Sequence, residues 1–455
     1  MKRTFVFVAA MLLTTLTAAA QEFDGSWSGV LVFGRQSLQL IFDIADGQVI
    51  VKSPDQSSIQ IPATSATYDG AHIEITVEPM LMTYSGTRIS DDKIDGVFEQ
   101  NGIRIPLLLT KGEKAVADRP QGPQEPQPPY PYTEEEVTFC SKESGITLHG
   151  TLTLPADTSV PCAGVVLVTG SGTQNRDEEI FGHKPFKVIA DYLSRRGIAV
   201  LRYDDREYTL FRYDGATTLN YAHDAAGAVE YLRSRQETDN SRIGIIGHSE
   251  GGTIGFICAA EDPDLSFVIS LAGMTVDGKT CIVEQNRVLL EAAGTDSSTV
   301  ATICETIGRV FDAIKDLPLE TIRTEAVQIT DRAIAQSDHT ALPEPMRKNM
   351  VMTLSEMNEW QLYFLCCDPA ESIRRVTCPV LALNGSKDTQ VNADMNLGRL
   401  KEFPNLEERL TTVKFENLNH LFQHCESGSV AEYAAITETF SEEVLEFITA
   451  WINAL

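Results

Sequence analysis

The sequence predicts an α/β fold: a mostly parallel sheet flanked by helices and carrying a helical insert, preceded by a small all-β domain. Three observations carry this prediction. Apolar runs without polar alternation (Gly164 to Thr169, Ile198 to Arg202, Ile243 to Ile246, Phe267 to Leu271, Val380 to Leu383, Thr412 to Phe415) alternate with helical stretches, the pattern of strands covered on both faces. Upstream, short β-prone runs alternate with turn dipeptides such as Asp46-Gly47, Asp69-Gly70 and Asn101-Gly102. Between the two, six prolines crowd the stretch from Pro120 to Pro131, a composition that resists helix and sheet.

In chain order, Lys2 and Arg3 precede the apolar stretch Phe5 to Leu16 and the small residues Ala18-Ala19-Ala20, which reads as a secretory signal peptide over 1–20 with cleavage after Ala20. The expected location is periplasmic or secreted. No later segment approaches the roughly 18 apolar residues of a membrane span, so no membrane insertion is expected after cleavage. Residues 21–113 form the all-β N-terminal domain, a sandwich or barrel in which Trp27, Phe33 and Phe42 are read as core aromatics. Residues 114–132 form the Pro-rich linker, and residues 133–455 the α/β domain, opening on a hairpin of Val137 to Cys140 with Ile146 to Leu154.

About a hundred residues separate Gly273 from the strand at Val380, a gap read as a helical cap over about 274–372. Within it Val300, Ile303, Ile307, Val310, Ile314 and Leu317 recur at helical spacing, with Ser297 or Ser298 as the expected cap.

Without Lys2 and Arg3 the chain holds 35 basic against 64 acidic side chains, a formal charge of −29, which argues against nucleic acid or anionic lipid as a partner. The nine cysteines are scattered and form no metal-type Cys-x-x-Cys pair, so most are read as buried small hydrophobes.

Chemistry concentrates at Gly247-His248-Ser249-Glu250-Gly251, between an apolar strand and the helical run Gly252 to Ala260. A Gly-x-Ser-x-Gly turn from strand to helix leaves the serine hydroxyl proud at the strand tip. A serine needs a base to take its proton and a third group to orient that base. Asp388, in the loop after Val380 to Leu383, and His420, in the loop after the strand ending near Phe415, supply them in the order Ser, Asp, His. His424 is the rival to His420 but lies further from the strand end. Asp177, Asp204 and Asp205 precede the serine and fit structural roles better. The backbone N–H of Glu250 is one expected oxyanion donor and that of Ser171, in Gly170-Ser171-Gly172, the other, with Gly172 as runner-up. No Gly-Lys-Ser/Thr follows this Gly-Ser-Gly, as a phosphate-binding loop would require. Such a site needs neither metal nor organic cofactor.

These residues resemble the serine carboxylesterase-like α/β-hydrolases of bacteria, often grouped with serine aminopeptidase-like domains. The resemblance spans about residues 135 to 455. Its carriers are Gly170-Ser171-Gly172 with Arg176-Asp177, His183-Lys184-Pro185-Phe186, Leu201-Arg202-Tyr203-Asp204-Asp205-Arg206, the Ser249 turn, Asp388 and Asn419-His420-Leu421-Phe422. It implies an α/β-hydrolase that cleaves small-molecule carboxylic esters through an acyl-serine intermediate. The alternatives are an aminopeptidase or amidase using the same three residues, and a non-catalytic binding protein. Glu207 to Phe211 departs from the family pattern, since relatives continue Asp-Asp-Arg with a Gly-rich turn. Natural substrate, acyl chain length, disulfide pairing and oligomeric state are not legible.

Overall fold

A computed structural model describes residues 22–33, 36–53, 60–80, 82–100, 103–112, 122–143, 145–206, 208, 215–336 and 342–455. Residues 1–20, read from sequence as a signal peptide, residues 113–121 of the Pro-rich stretch, and Glu207 with Thr209, Leu210 and Phe211 lie outside the described residues. The chain forms two compact units, residues 1–122 with 179–183, and residues 123–178 with 184–455.

The first unit runs β1 Gly25–Phe33, β2 Gln36–Ala45, β3 Gln48–Lys52, β4 Gln60–Pro62, β5 Ser65–Asp69, β6 His72–Val77, β7 Met82–Ser90, β8 Lys93–Gln100 and β9 Ile103–Lys111. Asp46 and Gly47 both take positive φ (51° and 77°), the two-residue reversal whose twist suits a hairpin, and they join β2 to β3. All pairings are antiparallel, in the order β4-β3-β2-β1-β9-β8-β7-β6-β5. The expected sandwich or barrel is thus one curled sheet. Its outermost strands, β4 and β5, are joined by Ala63 and Thr64 alone. Ala63 N–H donates to Val49 O of β3 and Thr64 N–H to Thr76 O of β6, each at 2.8 Å, so the two edges meet.

Inside the curl Trp27, Phe42, Tyr84, Ile73 and Ile75 are fully buried. The Trp27 indole N–H donates to Phe23 O at 2.6 Å, which gives the buried ring its polar partner. Trp27 and Phe42 are core residues, as read from sequence, whereas the side chain of Phe33 lies outside the described residues.

The second unit is built on eight strands, β10 Thr133–Cys140, β11 Thr147–Leu154, β12 Cys162–Val168, β13 Ile198–Tyr203, β14 Thr238–His248, β15 Phe267–Leu271, β16 Val380–Gly385 and β17 Leu410–Phe415, ordered β10-β11-β13-β12-β14-β15-β16-β17. From β13 to β17 every pairing is parallel, but the hairpin β10–β11 joins antiparallel, so the sheet is mixed. Its helices are α1 Pro185–Ser194, α2 Thr218–Arg233, α3 Glu250–Glu261, then α4 Gly278–Ala292, α5 Ser297–Ile314, α6 Leu319–Thr324, α7 Ala326–Ala335, α8 Glu344–Ser355, α9 Glu359–Cys366, α10 Ala370–Ile373, α11 Ala393–Leu400 and α12 Glu442–Ala454.

The period-two geometry of a strand sends alternate side chains to opposite faces. Val166, Val168, Ile245 and Val268 pack on one face with Ala225, Val229, Ile254 and Phe256 of α2 and α3. Val165, Leu167, Ile246 and Ile269 pack on the other with Phe186, Ile189, Leu445 and Ile448 of α1 and α12. This double cover is why these strands read as unbroken apolar runs.

Helices α4 to α10 fill the gap between β15 and β16. The cap of α5 is Asp296, one residue before the serines expected there, because its carboxylate accepts from the backbone of both Ser298 (3.1 Å) and Thr299 (3.0 Å). The hydroxyls of Thr299 and Ser298 donate to it as well, and its carboxyl is held down at about 2. The latter part of the Pro-rich stretch is docked rather than free. The Gln124 side-chain amide accepts from Thr439 N (2.6 Å) and donates to Phe440 O (2.7 Å), and Glu125 pairs with Lys184 and Lys187.

Trp27→Ala is expected to destabilise the first unit by about 3–5 kcal/mol through lost burial and a residual cavity. Urea unfolding would measure this, and a loss under about 1 kcal/mol would contradict the assignment of Trp27 to the core.

Candidate active site

Strand β14 ends at His248 and α3 begins at Glu250, which leaves Ser249 alone to turn the chain, at φ 53° and ψ −119°. For a residue with a Cβ this conformation costs about 1–3 kcal/mol, and the surroundings must impose it. They do so by close approach. A Cβ on Gly247 would lie 1.9 Å from Gly251 O, and one on Gly251 would lie 2.1 Å from Val168 O. Ser249 N–H donates to Leu271 O at 2.8 Å and Ser249 O accepts from Gly252 N at 3.0 Å, so both neighbours of the turn are fixed.

His420 lies beyond β17 in a turn shaped by Asn419, whose side-chain oxygen accepts from Leu421 N (2.9 Å) and Gln423 N (3.0 Å). The His420 Nδ1 lies 2.7 Å from Asp388 Oδ2, and both side chains are buried. The other oxygen of Asp388, at the end of β16, accepts from Gln390 N (2.8 Å) and Val391 N (2.9 Å). A carboxylate so surrounded by donors keeps Nδ1 protonated and leaves Nε2 as the free lone pair. His424 instead pairs with Glu438 at 2.9 Å, with its side chain 56% exposed.

The loop after β12, residues 170–178, is pinned at three points. Gly170 N donates to Glu178 Oε1 (2.8 Å), Gln174 N to Asp205 Oδ2 (2.7 Å) and Arg176 N to Asp204 Oδ1 (2.8 Å), while the Arg176 guanidinium also grips Asp204. Asp204 and Asp205 are thus structural, as is Asp177, which pairs with Arg202. A Cβ built on Gly170 would stand 3.1 Å from the Ser249 Cβ, so this loop passes beside the serine with Ser171 next in line. The N–H of Glu250 belongs to the first turn of α3, where a helix leaves its donors without internal partners.

Two features of the site are missed by sequence reasoning. The first is the side chain of Glu250, read from sequence only as a backbone donor. Its buried carboxylate accepts from Thr218 Oγ1 (2.6 Å), from Trp360 Nε1 of α9 (2.9 Å) and from the Ser171 hydroxyl. Burial pushes this carboxyl above the usual carboxylate range, and these three uncharged donors pull against that push. The second is His248, whose Nδ1 lies 2.8 Å from Glu178 Oε1 and whose Nε2 lies 3.0 Å from His420 O. Its place beside Ser249 in the motif was the available signal; its partners stand 70 and 172 residues away. Among the described residues, no group of three or more His, Cys, Asp or Glu is arranged to hold a metal ion.

Residues 218–370 match the family described as BAAT / acyl-CoA thioester hydrolase C terminal. The chain is 28% identical over 329 residues to Esterase EstD of Thermotoga maritima, an alignment covering 71% of this chain and 68% of that protein. Similar solved structures include Est1E of Butyrivibrio proteoclasticus (16% identity, 70% of this chain and 99% of that one, TM-score 0.40) and the Pyrococcus furiosus esterase Pf2001 (15% identity, 71% and 91%, TM-score 0.41). Over these parts the chain is similar to a thioester-hydrolase family and to an esterase.

The crowding at the turn sets an expectation for two glycines. Gly251→Ala should destabilise the unit by at least about 2 kcal/mol, since backbone must move. Gly398→Ala, in α11 with nothing within 4 Å of its built Cβ, should stabilise by about 0.5–1 kcal/mol. Thermal unfolding of both variants checks this, and equal effects would contradict it.

Proposed function

We propose that the chain is a secreted or periplasmic serine esterase that works through an acyl-Ser249 intermediate. The observation that carries this reading is the pairing of a serine forced into a strained strand-to-helix turn with a buried His420–Asp388 hydrogen bond of 2.7 Å. In this mechanism Ser249 Oγ attacks the ester carbonyl while His420 Nε2 takes its proton. The carbonyl oxygen, now negative, is received by the N–H groups of Ser171 and Glu250. His420 then protonates the departing alcohol, and a water activated by the same nitrogen releases the acid. Asp388 holds the imidazole in its tautomer and stabilises its charged form.

Kinetics of three variants test the assignment. Ser249→Ala and His420→Ala should each lower kcat at least about 10³-fold, and the double variant should fall little further, because the groups act as one unit. Losses that multiply would mean the two residues work independently.

The substrate class follows from Glu250. An aminopeptidase must hold a free ammonium with a desolvated carboxylate, and Glu250 is a buried carboxylate that opens the helix after the turn. Its oxygens are already taken by Thr218, Trp360 and Ser171, which favours a neutral ester. The comparison with Esterase EstD points the same way. An aminoacyl ester should therefore be cleaved no faster than its acetyl-blocked form. If the free amine raises kcat/KM tenfold or more, a gain of about 1.4 kcal/mol, the peptidase reading wins.

Secretion rests on the residues of the leader alone. The N-terminus of protein recovered outside the cytoplasm should be Gln21, and an intact Met1 there would refute the assignment.

A further inference from the structure

His248 occupies a position that the proposed reaction does not use. Its ring is buried, and each of its nitrogens faces an acceptor. Nδ1 lies 2.8 Å from a Glu178 carboxylate oxygen, and Nε2 lies 3.0 Å from the main-chain carbonyl of His420. A carbonyl oxygen can only accept, so Nε2 must carry a hydrogen. The Glu178 Oε1 facing Nδ1 already accepts the Gly170 N–H at 2.8 Å, as an ionised oxygen does. Both ring nitrogens are then donors. A neutral imidazole has only one.

We propose that His248 is an imidazolium clamped between Glu178 and the backbone of His420, and that it serves as a positioning residue tying the base loop to the loop that carries the Ser171 oxyanion donor. The inference rests on the assignment of His420 as the base. Through Glu178 the clamp reaches Gly170, and through its own peptide bond it reaches Ser249, so one ring meets all three segments at the reacting centre. The ring also lies against that of His420, tilted at 48° with centroids 4.8 Å apart. A positive ring there would repel a second positive charge on His420.

The charged groups around His248 are few. Glu178 faces it from the loop after β12, and His420 and Asp388 face it from the loops after β17 and β16. The remaining lining of the small cavity beside it is apolar: Pro185, Phe186, Leu271, Leu421 and Phe440. Burial opposes the charge, but the Glu178 carboxylate, the His420 carbonyl and the more distant Asp388 together raise the ring above the ordinary histidine value. The stabilisation from this pair is therefore complete below about 6.5 and is lost as pH rises through the raised value in the folded state.

Two measurements test the clamp separately from the triad. In full-length protein carrying Ser249→Ala, nitrogen-15 NMR of the His248 ring at pH 7 should give the signature of two protonated nitrogens. This readout needs no catalysis, so it stands or falls apart from the esterase reading. A neutral tautomer at pH 7 overturns the proposal. In active protein, His248→Gln keeps a side-chain N–H for the His420 carbonyl but removes the charge. It should lower kcat about tenfold or more with little change in KM, and move the acid limb of kcat/KM upward by about one pH unit. The pair His248→Gln with Glu178→Gln should return the limb toward the parent while kcat stays low. If His248→Gln fails to fold, Glu178→Gln alone carries the test: without its counter-charge the buried ring should lose a proton, and the nitrogen-15 signature of two protonated nitrogens should disappear at pH 7. Parent values of kcat and of the acid limb in every folded variant would overturn the proposal.

Discussion

The turn at Ser249 is the constraint on which the rest of the second unit depends. A residue with a Cβ sits at φ 53° because strand β14 and helix α3 are driven together, backbone against backbone, at Gly247 and Gly251. That closeness is affordable only where both neighbours lack side chains. The approach of Val168 O to Gly251 brings the end of β12, and with it the pinned loop 170–178, alongside the serine. The strain is small beside the burial of two apolar layers around the sheet, which holds the turn in place.

Around that turn the polar groups form two clusters with different purposes. One runs through Arg176, Asp204, Asp205 and Gln174 and fixes the loop after β12 from the side of β13. The other runs through Glu178, His248, His420 and Asp388 and crosses from that loop to the far end of the sheet. Glu250 adds a link upward, since its carboxylate joins the turn to Trp360 in α9 and to Thr218 in α2. Through Trp360, α9 is thus tied to the residue proposed to donate to the oxyanion.

Much of this architecture was legible because strands buried on both faces advertise themselves as unbroken apolar runs. The strand β14 outran its prediction at the front, where Thr238 to Arg242 are polar or partly exposed and carry no such signal. Ser249, Asp388 and His420 could be chosen because each stands just past a strand end, a local property. The partners of His248 and Glu250 could not, because they are 32 to 172 residues away and meet only when the sheet assembles. The choice between sandwich and barrel for the first unit stayed open, since two residues between β4 and β5 look like any turn until the register is known. The docking of Gln124 against Phe440 was masked by a composition that otherwise reads as a spacer.

The proposed chemistry turns on the identity of the acylated atom. Mixing the enzyme with an activated ester, quenching in acid within milliseconds and mapping peptides by mass spectrometry would read it out. One acyl group per chain is expected, on Ser249, appearing before the second product and lost on the timescale of turnover. Turnover with the acyl group on another residue, or with no acyl-enzyme under conditions that trap the intermediate, would contradict it.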